Sequence, residues 1–300
     1  MTTTPWPSLA VAPAPCAPGT GPFATPDFLI SWWDHFAGSD LMSVEIKSPD
    51  ALLTLVDDGE VLRCAGHADV TDYHTPHGDD PVALGSELVS HPRHRAHLDS
   101  IPVPQAELLA KGLEEHGASV QVHEDEVTAV VDLPTTFDDY LIGLSKKQRH
   151  EVRRKRRRYT LMLGDWKHET YDDDGFGFQE FVRLHRSAPG DKGEFMTTQM
   201  EKFFAALVVL DGWRVDLLRH PDGATATVFG YSDDTGYYLY NSSFEAEHAD
   251  ASPGWVLLSS MIETAISEGV PRFDFLKGDE AYKFKLGAQP RPLATIEATW

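Results

Sequence analysis

The chain has 300 residues and a formal net charge of −21 at pH 7, and 41% of its residues are hydrophobic. This length suits one large domain or two ordinary ones, and the acidic charge argues against general affinity for nucleic acid or anionic membranes. No apolar run reaches the roughly 18 residues that a membrane helix needs, so no membrane partner is predicted. Two cysteines, Cys16 and Cys64, give no disulfide framework and favour a reduced, cytoplasmic setting.

The first part of the chain divides into a tail and a domain. Residues 1–22 are rich in Pro and Ala, lack the basic start of a secretory signal, and are predicted to be a mobile N-terminal arm. Residues 23–36 predict a helix with an apolar stripe. Helices and strands then alternate, so we expect a first α/β or α+β domain over residues 23–133 and a second over 134–300.

Strand signals in the first domain come in two pairs. The predicted strands cover residues 52–56, 61–65, 119–122 and 128–133. Asp58 and Gly59 lie in the turn of the first pair, which is typical of a hairpin, and the acidic residues 123–126 form the turn of the second. His91 and His94 alternate with arginines that would repel a cation, so no metal site is predicted.

Positive charge is concentrated in one short segment of this acidic chain. The segment reads KKQRHEVRRKRRR, and we predict a basic helix over residues 145–159. With 3.6 residues per turn, one face carries Lys146, Arg149, Arg153 and either Arg156 or Arg157, and another carries Lys147, Arg154 and Arg158. Such density of like charge destabilises a helix unless counter-charges answer it. The helix therefore either neutralises an acidic surface or binds an anion, whether a phosphorylated substrate, a nucleotide cofactor or RNA.

The end of the chain predicts a three-strand meander followed by a β-α-β crossover. The strands cover residues 213–219, 224–231, 237–244 and 272–276. Ser252 is suited to cap the crossover helix, and Pro253 is tolerated at its first position. The first turn of a helix offers N–H groups and a partial positive charge, which suit an anion such as a pyrophosphate. An ordinary structural N-cap is the alternative interpretation.

Three features in order carry a family resemblance: the segment LSKKQRHEVRRKRRRY, the meander, and SPGWVLL…EGVPRFDFLKGDEAYKFKLG. Together they resemble GNAT-superfamily acyltransferases of the CelD-type group, which are similar to Fem aminoacyl transferases. The segments PDFLISWWDHF and VTDY resemble the first half of that family. The resemblance implies an α/β (α+β) fold of two GNAT-like halves, with mixed twisted sheets flanked by helices. Residues 23–133 would form a degenerate half and residues 134–300 the catalytic half.

The resemblance also implies an enzyme of class EC 2.3, an acyltransferase. The donor would be acetyl-CoA or another acyl-CoA, and the acceptor a small-molecule or peptide amine. Two alternatives stay open: an aminoacyl transferase that uses aminoacyl-tRNA, and a non-catalytic protein of the same fold that binds an anion or RNA. Only one glycine, Gly254, stands where acetyl-CoA users carry a glycine-rich loop.

The implied site residues fall into three groups. The donor would contact Asn241, Ser252, Pro253, Gly254 and Trp255. The substrate would contact Lys147, Arg149, Arg153 and Asp279. The catalytic residues would be Asp274, Tyr282 and Lys283, with Asp274 as base, Tyr282 as acid and Lys283 stabilising the oxyanion. Alternatively, Asp274 forms a structural bridge with Lys283 or Lys277.

Overall fold

The computed structural model describes residues 5–66, 70–173, 175–221 and 223–300. They form two compact units, one of Met1–Thr128 with Arg291–Trp300 and the other of Ala129–Pro290. Within the described residues, no helix combines the length and the apolar character needed to cross a membrane.

The regular elements alternate along the chain. The helices are α1 (Pro26–Phe36), α2 (Leu84–Val89), α3 (Val103–Glu115), α4 (Phe137–Gly143), α5 (Lys146–Leu163), α6 (Phe176–Arg186), α7 (Asp191–Phe195), α8 (Thr198–Val208), α9 (Pro253–Ser267) and α10 (Ala281–Lys285). The strands are β1 (Met42–Lys47), β2 (Ala51–Asp57), β3 (Leu62–Cys64), β4 (His77–Gly78), β5 (Arg95–Pro102), β6 (Ser119–Asp132), β7 (Lys167–Tyr171), β8 (Trp213–His220), β9 (Gly223–Asp233), β10 (Gly236–Phe244), β11 (Arg272–Lys277) and β12 (Gln289–Thr299). Short 3-10 helices cover Pro7–Val11, Pro81–Ala83 and Ala246–Ala251.

The first unit has a mixed sheet in the order β1-β2-β3-β5-β12-β6. β2 and β3 pair antiparallel, which confirms the predicted hairpin. Its turn depends on Gly59, whose φ of 91° is accessible to glycine at little cost. β3 pairs parallel to β5, and β5 pairs antiparallel to β12, so the sheet is mixed.

The prediction of two strands around an acidic turn at residues 123–126 is wrong. β6 is one continuous strand from Ser119 to Asp132. The side chain of Asp125 lies within that strand and accepts a hydrogen bond from Thr295 Oγ1 at 2.8 Å. Pairing with a strand from the other end of the chain therefore overrides the local polar composition, which favoured a turn.

The described part of the N-terminal segment is packed rather than a mobile arm. Trp6 is fully buried, and its indole N–H donates to Leu55 O at 2.9 Å. Its ring also lies edge-on to Trp33, with 5.3 Å between ring centroids. The Pro/Ala-rich composition hid this contact, because one buried tryptophan supplies enough apolar surface to hold such a segment.

The second unit has a mixed sheet in the order β11-β10-β9-β8-β7. β8, β9 and β10 form the predicted antiparallel meander, and α9 connects β10 to its parallel neighbour β11, as expected for the crossover. Helix α9 buries apolar side chains against Phe273 and Phe275 of β11. Phe229 of β9 packs against Phe181 of α6 and Phe204 of α8. An α/β fold with mixed sheets flanked by helices is thus confirmed.

Helix α5 begins where the sequence predicts. Ser145 Oγ accepts the N–H of Gln148, and Gln148 Oε1 accepts the N–H of Ser145, which completes a capping box. This reciprocal pair satisfies two backbone donors that the first turn leaves without helical partners. Its buried side, marked by Val152 and Tyr159, joins the apolar core that includes α9.

Candidate active site

The two parallel strands of the crossover separate partway along β10. Their pairing covers two residue pairs, Tyr237 with Phe273 and Tyr238 with Asp274. β10 then continues beside β9 to Phe244, and its register shifts between Leu239 and Asn241. Such a bulge bends the strand and increases its twist. Among the described residues, β10 thus pairs with β11 at these two positions, while its pairing with β9 runs on to Phe244.

The first turn of α9 follows β10 in the chain, and it is uncrowded at Gly254. Ser252 has φ 60° and ψ 51°, a left-handed conformation, and its side chain makes no capping hydrogen bond. The prediction of Ser252 as a side-chain N-cap is therefore wrong, although α9 does begin at Pro253. Since proline lacks an N–H, the amides of Gly254 and Trp255 are the donors at the tip. A Cβ on Gly254 would have the Phe244 ring at 3.5 Å as its nearest neighbour, an ordinary contact.

Positive charge from α5 lies beside this tip. Lys155 Nζ is 4.1 Å from the centroid of the Trp255 ring, a cation–π contact. Burial lowers the pKa of Lys155, although the nearby carboxylate of Glu151 acts to raise it. Trp255 is only 7% exposed, and its Nε1 has no hydrogen-bond partner among the described residues. A buried N–H without an acceptor is costly, so it is suited to a ligand oxygen.

Some cations of the predicted basic helix contact other parts of the protein, and others face solvent. Arg149 donates to Leu141 O at 2.9 Å and so supports the end of α4, while Arg156 donates to Ser259 and Glu263 of α9. These residues are structural, as one interpretation of the helix expected. Lys147 and Arg153 are exposed and make no hydrogen bond or ion pair with any residue that the structure describes.

Lys283 holds the chain where it leaves β11. Its side chain is 3% exposed, and its Nζ lies 2.9 Å from a carboxylate oxygen of Glu280. The same ammonium donates to the carbonyl oxygens of three consecutive residues, Leu276, Lys277 and Gly278. All three N–H donors of Lys283 are therefore occupied, and its ion-pair partner is Glu280 rather than Asp274. This geometry makes Lys283 a positioning residue for the loop.

Asp274 lies at the point where the strands part. It is fully buried, on the face of β11 opposite to Phe273 and Phe275, as the alternation of a strand requires. Its Oδ1 accepts the N–H of Leu276 at 2.7 Å. Leu276 has φ 58°, a conformation that costs energy for a residue with a side chain, and the carboxylate stabilises it. Asp274 thus shapes the exit of β11.

The short helix α10 places Tyr282 differently from its neighbours. Asp279 and Glu280 precede this helix and are exposed, whereas Tyr282 is half-buried, with its ring edge-on to Phe275 at 6.1 Å between centroids. Burial raises the pKa of Tyr282, so its hydroxyl stays protonated at neutral pH. That hydroxyl makes no hydrogen bond with a described residue, which leaves its proton available for transfer.

Sequence reasoning missed the residues that face Asn241 from α6 and α7. Asn241 Oδ1 lies 2.5 Å from Nε2 of the buried His185, and burial lowers the pKa of His185 to about 4. Lys192 lies close enough to Glu280 for its pKa to respond to that carboxylate, although burial lowers it overall. No local pattern signals these contacts, because they join residues distant in the chain.

A pocket elsewhere in the second unit is lined by none of the predicted site residues. It has a volume of about 690 Å³ and is lined by Phe176, Glu245 and His248, among others. Ligand atoms of Glu245, Glu247 and His248 lie within 4.8 Å of one another. Arg183 forms an ion pair with Glu245 at 2.9 Å, so the negative charge of Glu245 is neutralised by an arginine of the protein.

Comparisons with known proteins agree with this geometry. Residues 146–284 match the family model described as Acetyltransferase (GNAT) domain. A conserved protein of unknown function from Bacteroides thetaiotaomicron superposes with a TM-score of 0.64 at 12% identity, covering 98% of this chain and 96% of that one. FemX gives a TM-score of 0.61 at 13% identity, covering 89% and 90%. A comparison with curated protein sequences finds no match.

A third solved structure is the C-terminal domain of a lysylphosphatidylglycerol synthetase from Agrobacterium fabrum. It gives a TM-score of 0.59 at 14% identity, covering 90% of this chain and 86% of that one. Identities this low show the fold alone. The matches span most of each chain, and the fold is of the GNAT type and Fem-like.

Proposed function

We propose that the protein transfers an acyl group from an acyl-CoA thioester to an amine, since residues 146–284 match the family model described as Acetyltransferase (GNAT) domain. The observation that carries this proposal is the short parallel pairing of β10 with β11, two residue pairs long, with α9 as the connection between the two strands. An extended donor arm can lie between separated strands, where backbone groups no longer pair with each other. Its phosphates then meet the amides of Gly254 and Trp255.

The tip of α9 is suited to an anion on electrostatic grounds. The partial positive charge of the helix N-terminus adds to the ammonium of Lys155, which lies over the Trp255 ring. The indole N–H of Trp255 supplies a further donor without a protein acceptor. Lys285 contributes a second lysine charge near Lys155, as its repulsive effect on the pKa of Lys155 indicates.

The chemistry requires a base for the amine and an acid for the thiolate. Tyr282 is the proposed acid, since its hydroxyl is protonated at neutral pH and makes no bond to a described residue. Partial burial acts to raise the pKa of Glu280, but the hydrogen bond from Lys283 lowers it overall. Glu280 is therefore ionised, and with 57% of its side chain exposed it can meet an incoming amine. The buried Asp274 is better suited to positioning.

Thermal unfolding with and without acetyl-CoA tests the proposal. A ligand at 100 times its Kd adds about 2.7 kcal/mol to the free energy of unfolding. For a unit of this size we expect Tm to rise by roughly 5–10 °C. The Gly254→Val variant should lose most of that rise, because the added side chain occupies the tip without clashing severely with the fold.

Gly143→Val is the matched control. Gly143 has no atom within 4 Å of an added Cβ, and it is the last residue of α4. This variant should keep the full rise in Tm. The proposal fails if acetyl-CoA and longer acyl-CoAs leave Tm unchanged, and stabilisation by aminoacyl-tRNA alone would identify an aminoacyl transferase instead.

A further inference from the structure

Helix α5 presents an outward stripe of cations that the protein itself does not neutralise. At 100° per residue, four side chains fall within about 60° of one another around the helix axis. They are Lys146, His150, Arg153 and Arg157, and all four are exposed. The three lysine and arginine members make no hydrogen bond or ion pair with any described residue. Arg149, Arg154 and Arg156 differ from them, since each has a protein acceptor.

Folding does not account for this stripe. Like charges at i, i+4 and i, i+3 destabilise a helix, and the stripe lacks the counter-charges that would offset them. The stripe spans 12 residues, or about 16 Å along the helix axis. A stripe of this length fits an anionic partner at least three helical turns long.

The stripe continues around α5 to the tip of α9. Between the outward stripe and Lys155, which contacts Trp255, the arc carries the exposed Lys147 and Arg158 together with the ion pair of Arg154 and Glu151. At 100° per residue Lys155 lies on the opposite side of α5 from the stripe, so an arm from a partner bound to the stripe would pass around the helix to reach Trp255. The path crosses one helix, about 10 Å wide.

The tip itself is better suited to one phosphate than to two. Pro253 removes one amide from the first turn, so Gly254 and Trp255 are the backbone donors there. The buried Nε1 of Trp255, without a partner among the described residues, is a third donor. Three donors match the oxygens of one phosphate group.

Positions 146–158 contain no Phe, Tyr or Trp. Proteins bind single-stranded nucleic acid largely by stacking its bases on such rings, and the stripe has no ring on which a base could stack. An acidic protein helix, which needs only charge complementarity along about 16 Å, fits the surface better.

We propose that α5 docks a small acidic protein that carries the acyl group as a thioester on a phosphopantetheine arm. This inference rests on the acyl transfer proposed above and names the form in which the donor arrives. The amine nitrogen attacks the thioester carbonyl, a C–N bond forms and the C–S bond breaks. The amine loses one proton, and the departing thiolate gains one to leave the arm as a free thiol.

Isothermal titration with three probes tests the inference: an acyl carrier protein bearing an acetylated arm, the same carrier without its arm, and acetyl-CoA. The wild-type protein should bind the acetylated carrier more tightly than the armless one, and less tightly as salt increases. Lys146→Glu combined with Arg157→Glu should weaken carrier binding about tenfold or more. Affinity for acetyl-CoA should stay within twofold of wild type.

The matched control combines Lys111→Glu with Lys202→Glu, which changes the net charge equally at exposed helical positions off the stripe. It should bind the carrier like wild type. The inference is overturned if the stripe variant and the control behave alike, if acetyl-CoA binds and the carrier does not, or if duplex RNA displaces the carrier at equal concentration. Binding of neither acetyl-CoA nor carrier would overturn the proposed function as well.

Discussion

Replacing Lys283 with Met tests whether this buried lysine is a structural residue. Met has nearly the same length and removes the charge, which leaves three carbonyl oxygens and Glu280 without their donor. Each hydrogen bond to a charged group contributes about 1.5–3 kcal/mol. Because Glu280 is 57% exposed and water can replace its partner, we expect a net loss of about 3 kcal/mol in the free energy of unfolding.

Urea denaturation measures this loss directly, and thermal unfolding should show Tm lower by roughly 6–12 °C. Lys285→Met is the matched control, since Lys285 lies in the same short helix and is exposed. It should change stability by no more than about 0.5 kcal/mol. Amide exchange at residues 276–278 should accelerate in Lys283→Met alone. A loss below about 1 kcal/mol, or an equal loss in the control, would refute this account of the loop.

Two further predictions concern buried groups of the second unit. Burial lowers the pKa of His185 to about 4 in the folded protein. As pH falls, this histidine is therefore protonated in the unfolded chain at a higher pH than in the folded protein. Stability should be complete above pH 6.5 and decline by roughly 3 kcal/mol towards pH 4, and His185→Phe should flatten this decline in urea titrations at each pH. Asp216, fully buried, accepts hydrogen bonds from His168, Thr170 and Tyr237. Asp216→Asn should cost about 3–5 kcal/mol by denaturation, while Glu268→Gln, at the exposed partner of Arg214, should cost less than about 1 kcal/mol. Equal costs for these two variants would contradict the assignment.

The contacts of Lys283 give it a structural role at the end of β11. If the ammonium is occupied by Glu280 and three carbonyl oxygens, it holds the loop rigid and does not meet a developing oxyanion. Rigid support is what an active-site loop needs, because misplacement of a reacting group by about 1 Å lowers the rate steeply. Tyr282, one residue earlier on α10, then depends on Lys283 for its position beside Phe275.

Local patterns in the sequence determined the elements whose cause is also local. The Ser145 capping box, the glycine in the β2–β3 turn and the apolar spacing of α9 each depend on residues within a few positions. The order of meander, helix and the strand that follows it was enough to predict the parallel pairing of β10 with β11. The GNAT-type fold was instead implied by the resemblance of these segments to a known family.

Tertiary structure alone decided which partners the polar side chains meet. The carbonyl oxygens around Lys283, the contact of His185 with Asn241 and the continuity of β6 through Asp125 all join residues by packing rather than by spacing. A charged side chain has the same propensity whether it caps a loop or contacts a ligand, so sequence cannot separate the two. Burial and neighbouring charge separate them, and both exist only once distant segments are brought together by folding.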